Sequence, residues 1–342
     1  MDTRVLGSTG VRVTPFCLGA MMFGSTWGNR DHDEGIRIIH RALDAGINFI
    51  DTADVYSEGE SEAIVGEALA GGRRDTVVLA TKAHGVMGKD VNQRGNSRRW
   101  LIRECDASLR RLGTDYIDLY QIHRPDPDTE IGETLGALSD LIRAGKIRYA
   151  GTSTFPADLI VEAQWTAERR GRERFVCEQP PYSILVRGVE AAVLPACQRH
   201  RLGVITWGPL ASGWLSGQYR VDSELPASRR SQRLPQRFDL SVPGNKAKLE
   251  AADKLAKLAA EAGMSLIHLA LGFVVSHPAV TSAILGPRTM EHLESQLGAP
   301  EGLPADLLDR IDEIVPPGVN LNAADGSYVP PALSDPALRR RR

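Results

Sequence analysis

The stretch INFIDTADVYSEGESE, residues 47–62, opens as an apolar run and turns polar at Asp51. Four apolar-rich residues bounded by an acid read as a short buried strand. No loop requires that the strand end on an aspartate, nor that Tyr56 follow so soon. The same form recurs as CLGA from residue 17, VVLA from 77, IDLYQI from 117, IRYAG from 147, FVCEQ from 175, VITW from 204 and VTSAIL from 280. Continuous rather than alternating apolarity is the pattern of strands covered on both faces in a parallel sheet. Helical stripes lie between them, such as Ile131, Leu135, Leu138 and Ile142, or Leu101, Cys105, Leu109 and Leu112. Gly46, Gly113, Gly145 and Gly203 stand where such helices should stop. About eight strand–helix units predict an α/β fold, a (β/α)8 TIM barrel. A doubly wound sheet is the alternative, but no G-x-G spacing occurs in the chain to serve as its glycine fingerprint. RVLGSTGVRVTP, residues 4–15, predicts an N-terminal β-hairpin laid outside the barrel.

Composition narrows the function classes. The 342 residues are 42% hydrophobic, 6% aromatic and 25% charged, enough material for a large core. Lys plus Arg total 41 against 43 for Asp plus Glu, so nothing in the charge calls for nucleic acid or an acidic membrane. The start, MDTRVLGSTG, carries no apolar signal core, and no apolar run approaches the ~18 residues of a membrane span, so a cytoplasmic protein is expected. Cys17, Cys105, Cys177 and Cys197 are scattered and read as buried reduced thiols. The eight histidines show no metal-ligand spacing, and G-x-S-x-G, H-E-x-x-H and Walker A patterns are missing, so no metal is expected.

The residues that end the predicted strands carry the chemistry. Asp51 follows INFI, Lys82 follows VVLAT, His123 follows IDLYQI, Ser153 follows IRYAGT and Gln179 follows FVCE. In a barrel all of these meet at one mouth, where active sites are built. Each alone has an ordinary structural explanation: a capping Asp51, a packing Tyr56, a snorkelling Lys82, a hydrogen-bonded His123. Together they suit proton delivery to a carbonyl. A phenol with a pKa near 10 is a weak donor at neutral pH, and an adjacent ammonium is expected to lower that pKa. Asp51 would keep Lys82 charged, and His123 would orient the carbonyl oxygen by a hydrogen bond.

The chain resembles the aldo-keto reductase superfamily over roughly residues 3–316. GINFIDTADVYSEGESEAIVGEAL and LRRLGTDYIDLYQIHRPDP are similar to the family's two signatures. The family's catalytic aspartate, tyrosine, lysine and histidine match Asp51, Tyr56, Lys82 and His123. The resemblance implies one barrel domain, 1–342, whose 317–342 segment is a C-terminal lid or tail, and an extended NADPH bound without a Rossmann motif. It assigns Gly19, Met21 and Asp51 to the cofactor side. Ser153 and Gln179 would hold the nicotinamide carboxamide, Tyr182 would lie near the ring, and Thr154 stands where asparagine is usual. Trp207, Pro209, Leu210, Ser212 and Gly213 would cradle the pyrophosphate, with Gly208 in place of a usual serine. Gly286 and Arg288 match the end that holds the 2′-phosphate, where His292, Ser295 and Gln296 replace the usual residues. Residues 218–245 resemble a flap over the pyrophosphate, and by composition alone read as a loop. Met22, Trp27, Tyr56, His84, Arg124 and Trp214 are the candidate substrate pocket, together with Met21. The reading is an NADPH-dependent reduction of an aldehyde, ketone, keto-sugar or other small carbonyl. A non-catalytic NADPH-binding regulatory subunit is the alternative, as is Schiff-base chemistry at Lys82, which needs a lysine of depressed pKa where Asp51 would raise it.

Overall fold

The computed structural model describes every residue except 1, 27, 227, 228, 327, 341 and 342, so Trp27 and the end of the basic tail lie outside the described residues. Two short strands, β1 (Arg4–Val5) and β2 (Arg12–Val13), form an antiparallel hairpin. Eight more pair in parallel: β3 (Phe16–Gly19), β4 (Phe49–Asp51), β5 (Val78–Ala83), β6 (Ile117–Ile122), β7 (Ile147–Ser153), β8 (Cys177–Gln179), β9 (Gly203–Thr206) and β10 (Ser282–Leu285). β10 pairs with both β9 and β3, closing a barrel in which strand order follows chain order. The helices α1 (His32–Asp44), α2 (Glu60–Leu69), α3 (Arg98–Leu112), α4 (Ile131–Arg143), α5 (Ala157–Arg169) and α6 (Val193–His200) follow β3 to β8 in turn. After β9 come α7 (Arg229–Arg233), α8 (Pro243–Glu261) and α9 (Leu266–Ser276); after β10 come α10 (Met290–Glu294), α11 (Ala305–Ile314) and α12 (Pro331–Ser334). This is the (β/α)8 TIM barrel with an N-terminal hairpin that the apolar runs predict. Among the described residues no single helix is long and apolar enough to cross a membrane, and all four cysteines are buried.

Side chains along a strand alternate between faces, and the barrel interior shows what that does. Cys17, Phe49, Ala80, Leu119, Cys177, Ile205 and Ile284 fill one inward layer with Leu6 and Val13 of the hairpin. Two residues further along four of these strands, the same inward direction carries Asp51, Lys82, Gln121 and Gln179. Register supports the grouping, since Lys82 stands opposite Gln121 and Ser153 opposite Gln179. An apolar floor therefore lies directly beneath a polar layer at the C-terminal mouth. The hairpin strands lie outside the barrel, as expected, but Leu6 and Val13 are fully buried and close its floor.

Helix stops are met at three of the four expected glycines. Gly113 caps α3 in the left-handed region, and Gly46 and Gly145 take positive φ just beyond α1 and α4. Gly203 does not. The left-handed cap of α6 is Arg201 (φ 54), and Gly203 begins β9. Its missing side chain serves packing instead, because a Cβ there would stand 2.7 Å from Leu6 Cδ1 and 2.8 Å from the Gly7 nitrogen. Gly203→Ala should therefore push the hairpin off the barrel floor and cost about 1–3 kcal/mol, the usual cost of overpacking. Denaturant titration followed by circular dichroism measures it; a loss below about 0.5 kcal/mol, ordinary surface scatter, would mean the hairpin is not seated there.

Candidate active site

Lys82 is the centre of the polar layer. It is fully buried, and its ammonium donates to Asp51 Oδ2 (2.6 Å), the Thr52 carbonyl (2.8 Å) and the Tyr56 hydroxyl (3.2 Å). An ammonium has three protons, so its donors are all used. The other carboxylate oxygen, Asp51 Oδ1, accepts from Gln179 Nε2 (2.8 Å) and Gln121 Nε2 (3.1 Å). Gln121 was not among the expected residues. Its signal was its place in IDLYQI, two positions after inward-facing Leu119, which only a barrel register could expose. Gly151 makes room for it, since a Cβ there would meet Gln121 Cγ at 3.2 Å.

Tyr56 is set by an unusual turn. Ser57 and Glu58 take positive φ (49 and 57) and Gly59 follows at 93, before α2 begins. Left-handed conformations cost a non-glycine residue on the order of 1 kcal/mol or more, so the neighbouring loop must hold them. It does: Ser57 Oγ accepts from the Thr26 nitrogen (3.3 Å), and Ser25 donates from both its nitrogen and its Oγ to Glu60 Oε2 (2.7 Å each). The Tyr56 ring meets His123 edge to face, with centroids 5.7 Å apart.

Three ionisation states follow from this packing. Burial acts to lower the Lys82 pKa, but Asp51 and Tyr56 more than reverse it, and the group stays above the ordinary lysine value. His123 is held well below the ordinary imidazole range by burial, Lys82 and Arg124, so its ring is neutral. The Tyr56 phenol differs from expectation: burial raises its pKa, Lys82 opposes, and the net result lies above the ordinary value. Burial is the larger cause, and the Asp51 carboxylate adds to it by disfavouring phenolate. Lys82 helps in another way. Because the ammonium only donates, the phenol oxygen accepts and keeps its own proton for a third group.

The expected cofactor residues divide. Ser153 Oγ donates to the Gln179 carbonyl (2.9 Å), and Thr154 takes a left-handed φ of 59, the conformation that suits the usual asparagine better. Trp207 follows inward-facing Ile205 by two residues and packs against the barrel interior, with its indole nitrogen unpartnered among the described residues. Gly208, Ala211, Ser212 and Gly213 all have positive φ, and positions 208, 213 and 286 have nothing within 4 Å of where a Cβ would stand. Around buried Pro209 and half-buried Leu210 the backbone thus forms an open cradle suited to a pyrophosphate. Gly19 pairs with Asp51 at the mouth and must be small, since a Cβ would fall 2.5 Å from Ile284 Cγ2. Arg288 is half-buried on the rim and close enough to His292 to depress that imidazole along with burial.

Tyr182 and Trp214 are not where they are expected. Tyr182 is turned from the mouth onto Phe273 and His277, and its hydroxyl donates to Glu190 (2.6 Å). Trp214 is 1% exposed and stacks on Phe238 (5.4 Å) and Tyr219 (4.5 Å), so it anchors the 218–245 segment instead of lining a pocket. That segment contains α7 and reaches across to the β3 side, where Arg230 meets Met22 Sδ at 4.0 Å. Gln296 is buried and donates to the His292 carbonyl (2.8 Å), while Ser295 Oγ donates to the same oxygen. Met21 and Met22 are half-buried at the mouth, and His84 is tied through Nδ1 to Asn96 (2.9 Å). The C-terminal stretch is strapped down, with Arg187 N donating to the Val319 carbonyl and Lys248 paired with Asp325 (2.8 Å). Among the described residues no group of His, Cys, Asp or Glu is placed to hold a metal.

The neutral His123 makes stability depend on pH. The unfolded imidazole takes a proton near pH 6.5 and the folded one resists it, so this group costs stability as pH falls through about 6.5. Glu178, raised by burial to about 7, acts in the opposite sense, adding stability at low pH that is lost as pH rises to that value. Comparison with His123→Asn therefore isolates the histidine. Denaturant midpoints between pH 8 and 5 should fall more steeply in the wild type, by up to about 1.4 kcal/mol per pH unit. Parallel curves would show that His123 is not held neutral.

Comparison with known proteins agrees with this geometry. A family model described as "Aldo/keto reductase family" matches residues 15–316. An oxidoreductase of Bacillus subtilis, YrpG, is 38% identical over 92% of this chain and 96% of its own length. Aldo-keto reductase YhdN of the same organism is 35% identical over 86% of this chain and 87% of its own. A probable voltage-gated potassium channel β subunit of Arabidopsis thaliana is 34% identical over 92% of this chain and 97% of its own. With its barrel, its buried lysine–aspartate pair and these matches, the chain belongs to the aldo/keto reductase family.

Proposed function

We propose that the protein is an NADPH-dependent oxidoreductase that reduces an aldehyde or ketone to an alcohol. The observation carrying this reading is the saturated Lys82 ammonium, which makes the Tyr56 oxygen an acceptor and leaves its proton to be given to another group. NADPH, when bound, supplies the hydride to the carbonyl carbon. The carbonyl oxygen takes the Tyr56 proton as negative charge develops on it, and neutral His123 donates a hydrogen bond to the same oxygen. The phenolate left behind lies against Lys82, which stabilises it until solvent returns the proton. Ser153 and Gln179 are suited to the carboxamide, Trp207 to the face of the nicotinamide ring, residues 208–213 to the pyrophosphate and Arg288 to the 2′-phosphate. The partner is a small molecule, with no role for nucleic acid or membrane. Buried thiols suit a reducing cytoplasmic setting.

Tyr56→Phe should lower kcat by about 10²–10⁴-fold, the range of a general acid, while NADPH binding changes little. Retention of more than a tenth of the wild-type rate would remove Tyr56 as the proton donor. Likeness to a channel β subunit favours a second, non-catalytic reading. A screen of aldehydes, keto-sugars and cyclic ketones with NADPH separates the two, because a regulatory subunit would bind the cofactor and turn over none of them.

Arg288 should set the cofactor preference. A guanidinium pairs with the doubly charged 2′-phosphate through parallel hydrogen bonds, whereas NADH offers only a hydroxyl there. Arg288→Ala is expected to weaken NADPH binding by roughly 10- to 100-fold, equivalent to ~1.5–3 kcal/mol, and to leave NADH nearly unaffected. Fluorescence titration with both cofactors measures this. An equal loss for the two would exclude phosphate reading by Arg288.

A further inference from the structure

We propose that Arg124 selects a carbonyl substrate carrying its own anion, a carboxylate or a phosphate ester close to the reacting carbon; this rests on the reductase reading above. Arg124 follows His123 at the end of β6, half-buried on the mouth. All its hydrogen bonds in the described residues leave from one nitrogen: Nη1 donates to the His123 carbonyl (2.6 Å), Thr154 Oγ1 (3.1 Å) and, more weakly, Ser153 Oγ (3.4 Å). These acceptors are neutral. Among the described residues no carboxylate lies within ion-pair distance of Arg124, although other half-buried arginines have one, such as Arg74 with Asp118 and Arg111 with Glu62 and Glu104.

Nor does the surrounding mouth compensate the charge. Asp51 is neutralised by Lys82. Asp126 already accepts from the Asn96 nitrogen and the Thr129 hydroxyl. Glu178 acts on Arg124 only through space, with one oxygen held by Thr152 Oγ1 (2.5 Å) and the other by the Phe155 nitrogen (3.1 Å). A half-desolvated guanidinium without a counter-ion is unfavourable, and an incoming anion removes that cost. The fork formed by Nε and Nη2, which takes no bond among the described residues, has the geometry that accepts a carboxylate or phosphate through two parallel bonds. Arg124 directly follows His123, whose ring meets that of Tyr56 with centroids 5.7 Å apart, so the guanidinium and the phenol belong to one mouth. With the carbonyl oxygen on Tyr56, the anion rests on Arg124.

Matched pairs test this with NADPH: succinic semialdehyde against butyraldehyde for a carboxylate, and glyceraldehyde 3-phosphate against glyceraldehyde for a phosphate. The wild type should favour the charged member of at least one pair in kcat/KM by roughly 10- to 100-fold; the pair that shows it names the anion. Arg124→Gln should bring that ratio close to one because the charged member loses far more rate than the neutral one, and Arg124→Lys should restore part of the preference. Equal losses for both members would overturn the proposal, because Arg124 would then only be positioning Ser153 and Thr154. No preference in the wild type would overturn it, and so would a loss of NADPH affinity in Arg124→Gln matching the loss in rate. If none of the four is reduced and the wider screen of keto-sugars and cyclic ketones is also negative, the reductase reading fails by itself. Thermal stabilisation by succinate or glycerol phosphate still decides the anion site: stabilisation absent from Arg124→Gln supports it, and equal or no stabilisation in the two proteins overturns it.

Discussion

One buried ion pair organises this molecule. An ammonium inside a barrel would normally be driven neutral, and Lys82 stays charged because Asp51 meets it at 2.6 Å and two further oxygens take its remaining protons. The carboxylate is satisfied in turn by Gln121 and Gln179 from two other strands. Buried charges persist only when both partners are hydrogen-bonded as completely as this. The arrangement draws on β4, β5, β6 and β8 at once, so the site is complete only where the barrel holds these four strands together. Removing any member would leave an unmatched buried charge or dipole.

The site beyond that pair is held by loops under backbone strain. Tyr56 is followed by three left-handed residues, and Thr154 takes the same conformation at the far side of the mouth. Neither is favourable alone. The first is braced by residues 24–26 of the loop after β3, the second by Arg124 and by the bond from its own nitrogen to the Gln179 carbonyl. Strain concentrated at one end of a rigid barrel, above an apolar floor, is consistent with positions chosen for chemistry. The floor depends on close approach: Gly203 and Gly7 let the hairpin insert Leu6 and Val13.

Much of this was legible beforehand because its signals are local. Continuous apolar runs mark buried strands wherever they occur, and 3.6-residue stripes mark the helices between them, so eight units and a parallel barrel could be read without any contact. Asp51, Tyr56, Lys82 and His123 were legible because strand ends in a barrel must share a mouth. The misreadings all concern relations between distant segments. Gly203 was taken for a helix stop, yet the cap fell on Arg201 because what mattered at 203 was the approach of Leu6. Tyr182 looked like a ring neighbour, but Phe273 and Glu190 claim it, and Trp207 faces the mouth. Trp214 was assigned to the pocket and is instead stacked under Phe238.

The sequence by itself determined the order of strands and helices, the barrel and the identity of the groups that gather at its mouth, since periodicity and strand-end position are properties of a few consecutive residues. Tertiary structure alone decided the company each group keeps. Gln121 became part of the core network through strand register, and Arg124 became a cation without an ion-paired anion among the described residues because none of their acidic side chains folded beside it. Tyr56 ended with a raised pKa, although its neighbour is an ammonium, because burial and the Asp51 charge also act on it. An ionisation state sums contributions from every charge and every surface within several ångströms, and no stretch of chain contains that sum.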